Sequence, residues 1–134
     1  MIFLDTSAVY ALADRRDPNH EQAVSLFGQA LTSMEALLVH SAILIEATAL
    51  LQRRLGLAAA LRFLEQSERF VIHWITDRDH GQAVELLKER GRRGLSLVDC
   101  TSFVVMRHYH VNQALAFDGD FQQEGFAPYQ GAAS

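Results

Sequence analysis

Met1-Ile2-Phe3-Leu4-Asp5-Thr6-Ser7 opens the chain, and its reading decides the fold. Three apolar residues, Ile2 to Leu4, lead straight into a carboxylate and two hydroxyls. A short apolar run of this kind reads as a buried strand. It needs a sheet to bury it, and the sheet needs the rest of the chain. Ala8-Val9-Tyr10-Ala11-Leu12-Ala13 then reads as a helix. A carboxylate at the C-terminal end of an inner strand sits where open α/β sheets take their ligands. Asp5 can equally be no more than the cap of that helix, since Asp is a preferred N-cap residue.

Downstream, strands alternate with helices. Asp14-Arg15-Arg16-Asp17-Pro18-Asn19 is a polar break, with Pro18 suited to the first turn of the next helix. Ala23, Leu26, Phe27, Ala30 and Leu31 form an apolar stripe at helical spacing. Ala36 to His40 reads as a second strand, and Ser41 as the cap of a helix that Gly56 ends. A fourth helix spans Leu57 to about Ser67, and a third strand covers Phe70 to Ile75. Thr76-Asp77-Arg78-Asp79 resembles a capping box, opening a helix that ends at Lys88-Glu89-Arg90-Gly91. Ser96-Leu97-Val98-Asp99 opens another helix, and Gln113 to Phe117 is a fourth strand stopped by Asp118-Gly119-Asp120. The tail, with Phe121, Phe126 and Tyr129, can add a short edge strand. The pattern predicts an α/β fold: a central, mainly parallel sheet of four to five strands with helices on both faces. At 134 residues, without repeat or linker, we expect one domain over 1–134.

Composition narrows the function. Nearly half the residues are apolar, enough for a core without staples, and the single cysteine, Cys100, cannot form an internal disulfide. That fits a reducing compartment, and we expect a cytoplasmic protein. No basic segment precedes an apolar core at the start, so no signal peptide is read, and no apolar run approaches the ~20 residues of a membrane span. A formal charge of −4 argues against a general nucleic-acid binder. It leaves room for a nuclease, because a carboxylate-rich metal site is itself acidic.

Four acids stand at the edges of apolar elements. Asp5 ends the first strand; Glu46 lies among Ile43, Leu44, Ile45, Ala47 and Ala49; Asp99 falls in the first turn of an apolar helix; Asp118 ends the fourth strand, with Asp120 two residues on. An ionised Glu46 on so apolar a face is costly unless paired or metal-bound, or unless the helix exposes this one spoke. Asp99 can be the acid of a Ser96-x-x-Asp99 capping box, and Asp118-Gly119 a simple turn. Clustered carboxylates repel one another and raise each other's pKa, which a hard divalent cation relieves. Mg²⁺ or Mn²⁺ takes oxygen ligands and keeps several waters. The matching chemistry is hydrolysis of a phosphodiester.

Ile2-Phe3-Leu4-Asp5-Thr6-Ser7-Ala8, Ile45-Glu46, Leu95 to Ser102 and Ala116-Phe117-Asp118-Gly119-Asp120-Phe121 together resemble the PIN-domain proteins, and within them the VapC-type ribonuclease toxins. The pieces occur in family order and span most of the chain. The resemblance implies a Mg²⁺- or Mn²⁺-dependent endoribonuclease whose acids are Asp5, Glu46, Asp99 and Asp118, with Asp120 sharing or replacing part of Asp118's role. Thr6, Ser7 and Ser96 are expected to steady those acids. It also implies a homodimer, and a small antitoxin protein that blocks the site. Ala116 is a departure: similar proteins often carry Thr there, so a hydroxyl near the metal is expected to be missing.

Arg92 and Arg93, in the densest basic run, lead into Ser96 and Asp99, and are candidates for RNA phosphates as well as for a plain helix end. His40 and His73 read as satisfied core residues, and Cys100 as a small core residue. Two other readings compete with the ribonuclease. One is a catalytically silent PIN-fold binding or regulatory module. The other is a phosphotransfer protein with nucleophilic Asp5, a class that usually shows Asp-x-Asp where this chain has Ser7.

Overall fold

The structure, a computed structural model, describes residues 1–132. The opening run becomes β1 (Ile2–Leu4), and Asp5 caps α1 (Thr6–Ala13). There follow α2 (His20–Thr32), β2 (Leu37–His40), α3 (Ser41–Leu55), α4 (Leu57–Ser67), β3 (Val71–His73), α5 (Asp77–Arg90), α6 (Leu97–His108), β4 (Gln113–Leu115), α7 (Asp120–Gln123) and β5 (Ala127–Pro128). The sheet has five strands in the order β3-β2-β1-β4-β5, every pair parallel. Parallel neighbours need crossovers, and right-handed ones set the layers. From β1 the chain steps outward through β2 to β3, which puts α1 to α4 on one face. It then returns past β1 to β4 and β5, which puts α5 to α7 on the other. The expected α/β sheet with helices on both faces is therefore what forms.

β1 is the axis of this arrangement. Ile2, Phe3 and Leu4 have no exposed surface at all, because β1 is central and covered from both sides. Phe3 packs on Phe121, whose ring meets Phe103 of α6 edge-on at 5.2 Å between centroids. Ala114, Leu115, Leu38, Val39, Ile43 and Met106 complete the centre of the core.

Three local expectations change, and one short helix is added. Pro18 lies in the turn before α2 rather than in its first turn, because the Asp17 carboxylate accepts the Asn19 N–H at 2.8 Å and holds the chain in a turn there. His40, not Ser41, caps α3: its Nδ1 accepts the Ile43 N–H at 3.3 Å. The Ser41 hydroxyl instead accepts the Ile75 N–H at 3.0 Å, tying α3 to the end of β3. Strands β3 and β4 stop early, at His73 and Leu115, so Trp74 stands out in solvent. α7, a single turn after Gly119, has no apolar period long enough to read. The capping boxes at Thr76–Asp79 and Ser96–Asp99 both form, and Ala127–Pro128 supplies the edge strand.

Candidate active site

Asp5, at the C-terminal end of β1, is the buried member of the site. Its Oδ2 accepts the Ser7 backbone N–H at 3.1 Å and the Ser7 hydroxyl at 2.7 Å. Ser7 Oγ in turn accepts the Phe117 N–H at 3.0 Å, and the Asp5 N–H reaches Leu115 O at 3.1 Å. The ends of β1 and β4 are thus stitched side by side, which brings Asp118 to Asp5. Asp99 arrives from the first turn of α6, across the same edge. One carboxylate oxygen from each of Asp5, Asp99 and Asp118 lies within 4.8 Å of the others.

The three acids share a mode of support. Asp5 is held through Oδ2 by Ser7. Asp99 is held through Oδ2 by the Ser96 N–H at 3.0 Å, while Ser96 Oγ accepts the Asp99 N–H at 3.0 Å. Asp118 is held through Oδ1 by the Asp120 N–H at 3.1 Å. Each acid is anchored by one oxygen and keeps a second for another partner. Capping and clustering are therefore not exclusive: Asp5 and Asp99 do both.

The electrostatics record the crowding. Burial pushes the Asp5 carboxyl up to about 7, and the Asp118 charge adds to it against the lowering effect of Ser7. Asp118 is also raised, by loss of solvent first and by Asp99 and Asp120 beside it. Thr6 Oγ1, at the start of α1, is buried without a hydrogen-bond partner. An all-oxygen donor set, mutual repulsion and an unsatisfied hydroxyl beside Asp5 fit a hard divalent cation.

A family model described as the PIN domain matches residues 2–126. This chain belongs to the PIN-domain family. It is similar to the 23S rRNA-specific endonuclease VapC20 of Mycobacterium tuberculosis, in strains CDC 1551 and H37Rv: 36% identity over 128 residues, 94% of this chain and 95% of the relative. The crystal structure of Mycobacterium tuberculosis VapC20, described as a sarcin-ricin loop cleaving toxin, superposes with a TM-score of 0.83 at 34% identity. It covers 95% of this chain and 97% of that one. The resemblance read from the sequence motifs, down to the VapC type, is borne out.

In this PIN-domain chain the remaining candidates separate. Glu46 is exposed on α3 and lies outside the group of three, next to an Ile45 that is itself 70% exposed. The burial cost inferred from its apolar neighbours is not incurred, because that side of α3 faces solvent. Asp120 starts α7, outside the three, with its carboxylate 4.0 Å from Arg92 Nη2. Arg93 is exposed.

Glu124 escaped the sequence reading, and so did the partners that satisfy His40 and His73. Glu124, almost fully covered, accepts Arg90 at 2.7 and 2.8 Å and Arg107 at 2.7 Å, and these arginines hold its carboxyl down at about 2. Arg90 is therefore spent on joining α5 to the segment after α7, and is not part of a free basic patch. His40 Nδ1 takes the Ile43 N–H, so its proton sits on Nε2, which donates to Ser102 Oγ at 2.9 Å. Burial first, and the neighbouring His73 second, push that imidazole down to about 3 and keep it neutral. Ser102 lies three residues after Asp99, so His40 ties the start of α3 to the turn that carries the acid. His73 is likewise satisfied, by Asp79 at 2.7 Å and Tyr109 at 2.9 Å. His73–Asp79 and His40–Ile43 are close in sequence, but the other partners are 17 to 62 residues apart, and no local signal joins them.

Proposed function

We propose that this chain is a divalent-metal-dependent endoribonuclease, the toxin of a toxin–antitoxin pair. The observation that carries the proposal is the convergence of Asp5, Asp99 and Asp118 from β1, α6 and the end of β4. These residues would hold Mg²⁺ or Mn²⁺; Glu46 would act from α3, outside the group of three. Bound there, such an ion polarises a phosphate oxygen and lowers the pKa of a water. Ser7, Ser96 and the Asp120 N–H fix the three carboxylates before substrate arrives, so little reorganisation is left for the reaction. Arg92 and Arg93, at the approach to α6, offer the positive charge that an acidic protein needs to hold a polyanion.

Likeness to a 23S rRNA-specific endonuclease makes that RNA, and its sarcin-ricin loop, the first substrate to test. A cognate antitoxin, a homodimer and a cytoplasmic location belong to the same reading. No described helix is long and apolar enough to cross a membrane. The competing reading, a silent binding module, is favoured only by the position of Glu46. Purified protein freed of antitoxin should cut ribosomal RNA with Mg²⁺ or Mn²⁺ and stop with EDTA. Cleavage undiminished by chelation would overturn the metal mechanism, and no cleavage with any divalent ion would favour the silent module.

A further inference from the structure

The basic run before α6 holds Lys88, Arg90, Arg92 and Arg93, and the structure sorts them. Lys88 faces Glu85 on the surface, and Arg90 is committed to Glu124. Arg93 points into solvent. Arg92 alone turns toward the acidic edge. Gly91, in the left-handed region at φ +59, ends α5 and reverses the chain. The Leu95 N–H then closes a turn on Arg92 O at 3.2 Å. The Arg92 side chain is folded in, only 28% exposed, with Nη2 4.0 Å from Asp120 Oδ1. Asp120 is joined by its own N–H to Asp118 of the acid group.

Within that folded side chain, Nε and Nη2 are both covered and both lack a hydrogen-bond partner. Buried donors of this kind are costly and call for an acceptor. The Asp120 carboxylate is too far to accept from them at 4.0 Å. Nε–H and one N–H of Nη2 project in parallel from the same edge of the planar guanidinium. That spacing matches two oxygens of one phosphate.

We propose that Arg92 is the phosphate-gripping residue of the site, through its Nε–Nη2 edge, and that Asp120 is its counter-ion before substrate binds rather than a ligand of the metal. The inference rests on the ribonuclease reading and deepens it. An RNA phosphodiester entering between Arg92 and the acid group supplies the two missing acceptors as the guanidinium swings outward from Asp120. The bond is made to non-bridging oxygens, so it orients the phosphate and carries no base preference. It differs from the diffuse attraction of Arg93, which any cation in that position could supply.

The test compares Arg92→Ala, Arg92→Lys, Arg93→Ala, Asp118→Asn and Asp120→Asn in the full chain, each checked for its melting temperature. Cleavage of ribosomal RNA is measured with Mg²⁺. RNA affinity is measured across salt in EDTA, and Mn²⁺ affinity without RNA. Arg92→Ala should cut cleavage about tenfold or more below Arg93→Ala, and flatten the salt slope by about one. Arg92→Lys should regain the salt slope but not the rate, because an ammonium has the charge without the fork. Mn²⁺ affinity should fall in Asp118→Asn and hold in Asp120→Asn and in both Arg92 variants. Full activity in Arg92→Lys overturns the fork, and loss of Mn²⁺ in Asp120→Asn overturns its role as counter-ion. Arg92→Ala that cuts normally but escapes an antitoxin assigns the arginine to that protein instead, and overturns the proposal. Wild-type protein that cuts no RNA overturns the ribonuclease reading itself, a result separable from all of these.

Discussion

Ser7 Oγ donates a 2.7 Å hydrogen bond to Asp5 Oδ2 while accepting the N–H of Phe117, 110 residues away. One hydroxyl therefore sets both the orientation of the buried acid and the distance between the ends of β1 and β4. Ser7→Ala removes the main group lowering the Asp5 pKa and strands a part-buried N–H. It should cost about 1–3 kcal/mol of stability, the range for a hydrogen bond to a charged group or an orphaned donor. It should also raise the metal concentration needed for half-maximal cleavage. Thermal melts without metal and a Mn²⁺ titration of activity check this; an unchanged titration would show that Ser7 serves only the helix.

Asp5→Asn and Asp99→Asn should abolish cleavage with the fold intact. Asn still accepts from Ser7 or Ser96 and is itself a good cap, so the local structure survives. Removing one charge from a mutually repelling group should hold or raise metal-free stability, within roughly 1–2 kcal/mol. A purely structural cap predicts the reverse: a lower melting temperature with activity retained.

Stability should depend on pH through groups of both signs, Asp5 and Asp118 raised and His40 and Glu124 lowered. Asp5 is raised to about 7, so it binds its proton more tightly folded than unfolded. Its contribution is fully present below the usual 3.8 and is lost as pH rises through about 7. Glu124 is lowered to about 2, so its contribution is present above the usual 4.5 and is lost as pH falls through about 2. His40, lowered to about 3, contributes above its usual 6.5 and is lost as pH falls toward 3, so it opposes Asp5 between pH 5 and 8. The Asp5 part is isolated by comparison: metal-free wild type should lose melting temperature relative to Asp5→Asn as pH rises from 5 to 8. Protons also compete with the metal at Asp5, so Mn²⁺ affinity should weaken below about pH 7. Wild-type and Asp5→Asn melting curves that run parallel between pH 5 and 8 without metal would count against this account.

Glu124→Gln should destabilise the chain by roughly 1–3 kcal/mol. Breaking a covered pair by removing one partner leaves unpaired charge, yet Arg90 and Arg107 are partly exposed and recover some hydration. Chemical denaturation measures the loss. Cleavage per folded molecule should stay near the wild-type rate, because Glu124 touches none of the three acids; a selective fall in rate would place it in the site.

The residues near each other in sequence carried most of the fold. Period-2 and period-3.6 apolar patterns, the Thr76 and Ser96 capping boxes and Gly56 are local physics, and they are read from a few neighbouring residues. The alternation of strands with helices then forces a parallel sheet covered on both faces. The same locality made Asp5, Asp99 and Asp118 legible as acids at element ends. The exposure of Glu46 was not legible for the same reason: an apolar neighbourhood along the chain does not say which side of α3 meets solvent. That orientation is set by contacts with other helices. Only the tertiary structure decided that the three acids converge, that Arg90 is spent on Glu124 while Arg92 faces Asp120, and that His40 steadies the Asp99 turn through Ser102. Each of these joins side chains from elements distant in sequence, and such pairings exist only once the sheet order β3-β2-β1-β4-β5 has brought those elements together.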